Sequence, residues 1–233
     1  MDDIRYILAE KVKAHYLKDG KPNPKLGFYL FLEDFQPQQK EFVNQVIKSL
    51  VEEWDQKLNT KIDYLQRNAA YNHDIPGVIF ALLANKLTNT RTQEVSFSNC
   101  FIGLLEGTSF LYEPEKLANS VRSGLSHEFL HSIIGDPKGN QHHDEYLADA
   151  FAVKIVGKEN FLQALQVIRM EQQPESDSHP SGNDRIQAVI SGKYEPAADL
   201  VIQKIKDGKP SNIMGCLSRY TATQLVREAG ISV

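Results

Sequence analysis

The segment Ser126-His127-Glu128-Phe129-Leu130-His131 places two imidazoles four residues apart, with a carboxylate directly after the first. On an α-helix, four residues bring the chain back to within about 40° of its starting direction. Both rings therefore leave one face and can share a single metal ion. Glu128, beside the first ring, can reach water held there and take its proton. These residue types at this spacing are the core of zinc-dependent peptide hydrolysis. Composition alone yields such a match in a chain of this length with a chance of roughly one in seventy, so the surroundings must carry part of the argument.

The surroundings fit. Residues Glu115 to Leu125 read as an amphipathic helix, with Leu117, Val121 and Leu125 on one stripe. Ile133 and Ile134 continue the apolar content, and Gly135-Asp136-Pro137 is a stop signal. A hydrolytic zinc site needs three protein ligands and one open position. Downstream, Asp144 to Lys154 reads as a second helix on which Glu145 and Asp149 share a face. Glu145 is the candidate third ligand. Asp149 is placed to accept the spare N–H of a histidine ligand, which fixes its tautomer and raises its basicity. His142 and His143, in the polar stretch from Asp136 to His143, are rival third ligands. Ala148, Ala150 and Ala152 are small enough for two helices to approach around one ion. The longer metzincin signature fails, because Ile134 and Pro137 stand where its Gly and third His belong.

A third segment, Ser178-His179-Pro180 followed by Arg185-Ile186, completes a pattern. With His127-Glu128-x-x-His131 and Glu145-x-x-Ala148-Asp149 it resembles the HtpX-type and CAAX-prenyl-endopeptidase family of zinc metallopeptidases, the gluzincins. The resemblance covers residues about 115–192. It implies one zinc ion per chain, held by His127, His131 and Glu145, with Glu128 as general base. It also implies that His179 and Arg185 face the substrate and the developing oxyanion, where a fixed donor lowers the barrier. In gluzincins an edge strand before the motif helix pairs with the substrate, and Thr108 to Tyr112 stands at that place. Members are often embedded in membranes and often carry a longer insertion before the third ligand. Here the spacing from His131 to Glu145 is short, and the longest apolar run, Val78 to Ala84, falls far below the ~20 residues a span needs.

The elements that must hold these residues can be sketched from periodicity. Helices are expected over Asp3–Leu17, Pro37–Leu58 and about 115–135, 144–156, 158–172, 183–192, 196–207 and 221–229. In the second of these, Phe42, Val46, Leu50 and Trp54 form one stripe. Candidate strands are Phe28–Leu32, Lys61–Leu65, Glu94–Ser98 and Thr108–Tyr112. The fold class expected is α+β, zincin-like: a mostly helical zinc-binding subdomain with a small mixed sheet. The 233 residues are expected to form one metallopeptidase domain, with 1–112 as N-terminal helices and sheet and 113–233 as the helical zinc-binding part. The loop from Gln172 to Asn183 is polar and expected to be mobile.

Composition narrows the function classes. Twenty-six basic against 30 acidic residues give a net charge of −4 with no basic block, which excludes nucleic acid as the expected partner. Cys100 and Cys216 make no disulfide framework, and Met1-Asp2-Asp3-Ile4-Arg5 is no signal-peptide start, so a cytoplasmic setting is expected. The function expected is a soluble zinc-dependent endopeptidase acting on a peptide or protein. Two other classes fit parts of the pattern. One is a regulatory protease of the phage-immunity type that cuts a specific repressor, against which the His-Pro…Arg segment argues. The other is a silent metal-stabilised binding module, which would have no use for Glu128.

Overall fold

The computed structural model describes the backbone at residues 17–18, 21–22, 26–31, 37–59, 62–67, 78–82 and 92–96. It describes backbone and side chains from Gln45 within the first helix and through most of 114–134, 141–167, 169–208, 217 and 219–232. Strands β1 (Leu17–Lys18) and β2 (Lys21–Pro22) form a short antiparallel ladder. β3 (Leu26–Phe31) and β4 (Ile62–Arg67) run parallel, as a helical crossover between them requires, and that crossover is α1 (Pro37–Leu58). β5 (Val78–Leu82) pairs antiparallel with β3 and with β6 (Thr92–Ser96). The expected helix Asp3–Leu17 and strand Thr108–Tyr112 lie outside the described residues.

From Pro114 onward the described elements are helices: α2 (Pro114–Ile133), α3 (His142–Val156), α4 (Lys158–Val167), a 3₁₀ turn (Met170–Gln172), α5 (Gly182–Ser191), α6 (Glu195–Lys206) and α7 (Ala222–Glu228). α2 packs on α1, α3 and α4, and α3 packs in turn on α5, α6 and α7. α3 is buried nearly all round, with Leu147, Ala148, Phe151, Ala152 and Ile155 fully enclosed. Its end is abrupt. Gly157 adopts φ 87°, a left-handed conformation that glycine takes without a Cβ penalty, and α4 begins at the next residue. Thr221 and Gln224 start α7 with a reciprocal capping box.

The expected α+β fold, with a small mixed sheet as a layer on the zinc-binding helices, is corrected by this packing. The packed body is 77% helical and all-α, and no strand supplies a residue to its described core. The physical reason lies in the helices themselves. The helices described from Pro114 onward carry apolar stripes that pack on one another, and their buried residues join one connected core. α1 supplies the cover for the back of α2: Val46, Leu50, Val51, Trp54 and Leu58 are all buried. Among the described residues no helix is long and apolar enough to cross a membrane.

One feature of this core bears directly on the chemistry. Trp54 of α1 stacks on Phe129 of α2 at 4.6 Å between centroids, and Phe129 stacks on Phe151 of α3 at 6.1 Å. Phe129 lies inside the H-E-x-x-H segment. The indole N–H of Trp54 also donates to the Ser126 hydroxyl at 3.3 Å, one residue before His127. Lys57 reaches from the end of α1 to the Ile155 carbonyl near the end of α3, and Glu53 pairs with Arg122 of α2. The motif helix is thus fixed from behind by aromatic packing and one buried hydrogen bond.

Trp54→Ala should therefore destabilise the protein by about 3–5 kcal/mol, the usual cost of a large buried aromatic truncated to a cavity. Trp54→Phe keeps a ring and loses the Ser126 bond, so it should cost about 1 kcal/mol. Denaturant unfolding of both variants checks this, and an alanine loss no larger than the phenylalanine one would contradict the stacking account.

Candidate metal centre

His127 and His131 leave the same face of α2, as their spacing requires, and their Nε2 atoms lie 3.0 Å apart. Glu145 comes from the first turn of α3. Its Oε2 is 3.4 Å from His127 Nε2, and its Oε1 is 3.4 Å from His131 Nε2. Three donor atoms on two helices therefore converge on one point. A tetrahedral ion with ligand bonds of about 2.0–2.1 Å holds its ligands roughly 3.3 Å from one another, and the observed separations match. The group is largely buried, and it could hold a metal ion.

The opposite nitrogen of His127 is held as well. Its Nδ1–H donates to Asp149 Oδ1 at 2.9 Å, which leaves the Nε2 lone pair facing the convergence point. Asp149 is 1% exposed. Its two oxygens also receive the forked guanidinium of Arg185, Nε at 2.8 Å and Nη2 at 2.6 Å. The remaining Arg185 nitrogen, Nη1, lies 3.1 Å from Glu145 Oε2. Arg185 thus faces the ligand carboxylate and the residue that orients His127.

Burial works against ionising Asp149, yet the charge and hydrogen bonds of Arg185, with His127 behind them, hold its carboxyl below the usual value. Glu145 is driven far below the carboxylate range in the same way: burial opposes, and the two histidines and Arg185 prevail. His127 feels the reverse. Desolvation disfavours its charged form, but Asp149 and Glu145 raise it to about 9. A metal ion bound at Nε2 takes the place of that proton. Glu128, half-buried beside His127, is near enough to add to the field that keeps Arg185 charged. Three carboxylates so act on one guanidinium, and they leave an excess of negative charge beside a group that could hold a metal ion.

The third segment of the sequence pattern reaches the same place. Ser181 caps α5, accepting from the Asp184 N–H at 3.1 Å, and Arg185 follows one turn in. Gly182 is required by close approach: a Cβ there would lie 1.7 Å from the Met170 carbonyl oxygen. His179, in the loop before α5, points its Nε2 toward Glu145 Oε1 at 3.6 Å with the side chain 45% exposed. The loop expected to be mobile is tied by several hydrogen bonds, among them Gly182 N–H to the Gln173 carbonyl at 3.0 Å.

The rival third ligands go elsewhere. Both lie in the first turn of α3. His142 turns to the Ser176 carbonyl, and His143 is buried against the Tyr194 hydroxyl at 3.2 Å. Tyr194 stacks on Tyr146 at 4.9 Å, which braces α3 against the turn leading into α6. Sequence reading assigned no part to Asp144. Its side chain is buried with Oδ2 unpartnered, and desolvation pushes its carboxyl up to about 6. Its burial follows from α7 packing over the first turn of α3, which no local pattern signals.

Comparison with protein-family models, with curated proteins and with solved structures finds no match for this chain.

Arg185→Ala should leave the buried Asp149 with His127 as its remaining described partner and one oxygen unmet. The expected loss is about 3–5 kcal/mol of stability, accompanied by weaker metal binding. Asp149→Ala should weaken metal affinity by about 10–100-fold without abolishing it. Calorimetric metal titration and denaturant unfolding read both effects. An Arg185→Ala protein as stable as the parent would show that the ion pair does not hold the centre together.

Proposed function

We propose that this protein is a zinc-dependent endopeptidase of the gluzincin type. The observation that carries the reading is the convergence of His127, His131 and Glu145 at ligand distances, with Glu128 on the same helix as the two histidines. Two nitrogens and one carboxylate oxygen are a donor set suited to zinc, and three protein ligands leave a position for water or substrate. The ion, when bound, supplies Lewis acidity that polarises a scissile carbonyl and acidifies water. Every other task falls to the chain. Glu128 takes the proton from the attacking water and delivers it to the leaving amine. Asp149 holds His127 in the ligating tautomer.

His179 is the candidate donor to the oxyanion. The Ser178 hydroxyl lies 2.7 Å from its Nδ1. If that hydroxyl donates, the ring proton sits on Nε2, the nitrogen turned toward the centre. Arg185 takes a positioning part in this scheme, since its fork is spent on Asp149 and its third nitrogen faces Glu145. The placement of His179 beside Glu145 supports the HtpX-type resemblance over a protease of the phage-immunity type. A general base kept beside the ligands supports an enzyme over a binding module.

The purified chain should carry about one zinc per molecule and cleave members of a peptide library, and chelation should abolish the cleavage. Glu128→Gln should keep the zinc and lose turnover by roughly 10²–10⁴-fold, because the amide cannot accept a proton. Replacing His127, His131 or Glu145 by Ala should remove most of the metal, whereas His143→Ala should retain it. A Glu128→Gln protein that still turns over at the parent rate would sink the mechanism.

A further inference from the structure

The geometry points to His142 as a positioning residue that staples the His179-bearing loop to the helix supplying the ligand Glu145. Residues Gln173 to Asp177 are exposed and bury no apolar side chain, so packing does little to order them. Polar contacts do that instead. The Ser176 N–H donates to the His179 carbonyl at 2.8 Å, and the His179 N–H donates back to the Ser176 hydroxyl at 3.1 Å. The two bonds close the turn on itself. Beyond the turn's own contacts, the Ser176 carbonyl accepts from His142 Nε2–H at 2.9 Å. A carbonyl can only accept, so that nitrogen carries the proton. Glu175 lies on the other side of the same ring, 3.8 Å from Nδ1.

The position of His142 matters as much as the bond. It sits three residues before Glu145, within one helical turn. That turn therefore presents the ligand carboxylate and also anchors the loop opposite it. The separation between His179 Nε2 and Glu145 is then set by helix geometry and by two short relays through Ser176. An oxyanion donor works only when held where charge will develop, and a displacement on the order of 1 Å costs about 10²-fold in rate. Buried Pro180 and the Gly182 N–H bond to the Gln173 carbonyl hold the two ends of the loop, and the His142 bond holds its exposed middle.

This inference rests on the peptidase reading for its kinetic part, and its test has an arm that does not. Hydrogen exchange and kinetics should be measured on the zinc-loaded full chain carrying His142→Ala, His142→Asn, His179→Ala and the His142→Ala/His179→Ala pair. In His142→Ala, amide exchange at Ser176 and His179 should quicken roughly fivefold, with zinc content and melting temperature close to the parent's. Its kcat should fall roughly tenfold or more with KM little changed, and His142→Asn, which can still donate to the carbonyl, should recover part of the loss. The double variant should be no slower than His179→Ala alone, since both act through one ring. Unchanged exchange, rate losses that multiply in the double variant, or a loss of zinc and stability alongside turnover would each overturn the inference. A parent protein that cleaves no peptide refutes the peptidase reading instead, and the exchange at Ser176 and His179 then decides the staple alone.

Discussion

A single buried carboxylate organises the centre. Asp149 is nearly sealed from solvent, and a charge in that setting is tolerable only when its lone pairs are all met. His127 meets one oxygen from α2, and Arg185 meets both from α5. Three helices therefore share one ionic contact, and none can shift without exposing an unpaired charge to a low-dielectric interior. The third nitrogen of Arg185 carries the constraint on to Glu145, so the candidate ligand from α3 is positioned by the same contact that orients the candidate ligand from α2. The coupling explains why residues from 127 to 185 act as one centre although they come from three separate stretches of sequence.

The rest of the packed body can be understood as support for that arrangement. The inner side of α2 is fixed by Trp54, Phe129 and Phe151, and its outer side presents His127 and His131. α3 has small residues at Ala148 and Ala152, both fully buried, and this allows the close approach that ligand convergence demands. At its N-terminal end, Asp144 and Glu145 lie in the first turn, where the helix dipole favours negative charge. Tyr146 and Tyr194 stack between α3 and the turn before α6, and Gly182 lets α5 begin against the Met170 carbonyl. Local sequence choices and long-range packing thus agree about where each ligand stands.

Much of this could be read from the chain because it follows from periodicity and local chemistry. The spacing of four within His127–His131 and Glu145–Asp149 determines which side chains share a face, whatever surrounds them. The stripes Val46-Leu50-Trp54 and Val121-Leu125 announce buried helix faces, and both are buried. The fold class was not readable in the same way. Apolar runs in the first hundred residues suggest strands, but periodicity does not say whether a strand will contribute to the core, and the core formed by the described side chains is helical. The fork of Arg185 on Asp149 lies across 36 residues and depends on how α5 docks. The tie between His142 and Ser176 spans 34 residues and hinges on a backbone carbonyl, which has no sequence signature.

The aromatic stack behind the motif has a consequence for the life of the protein. In small zinc-organised domains the ion is part of the folding energy, and a chain without it is unfolded. Here the conformational entropy of the ligand-bearing helices is offset by Trp54, Phe129, Phe151 and the surrounding aliphatic core, which owe nothing to the ion. Metal binding therefore need not supply the folding energy of the domain. Packing of this kind does not depend on an ion, so loss of a bound metal would not commit the chain to unfolding.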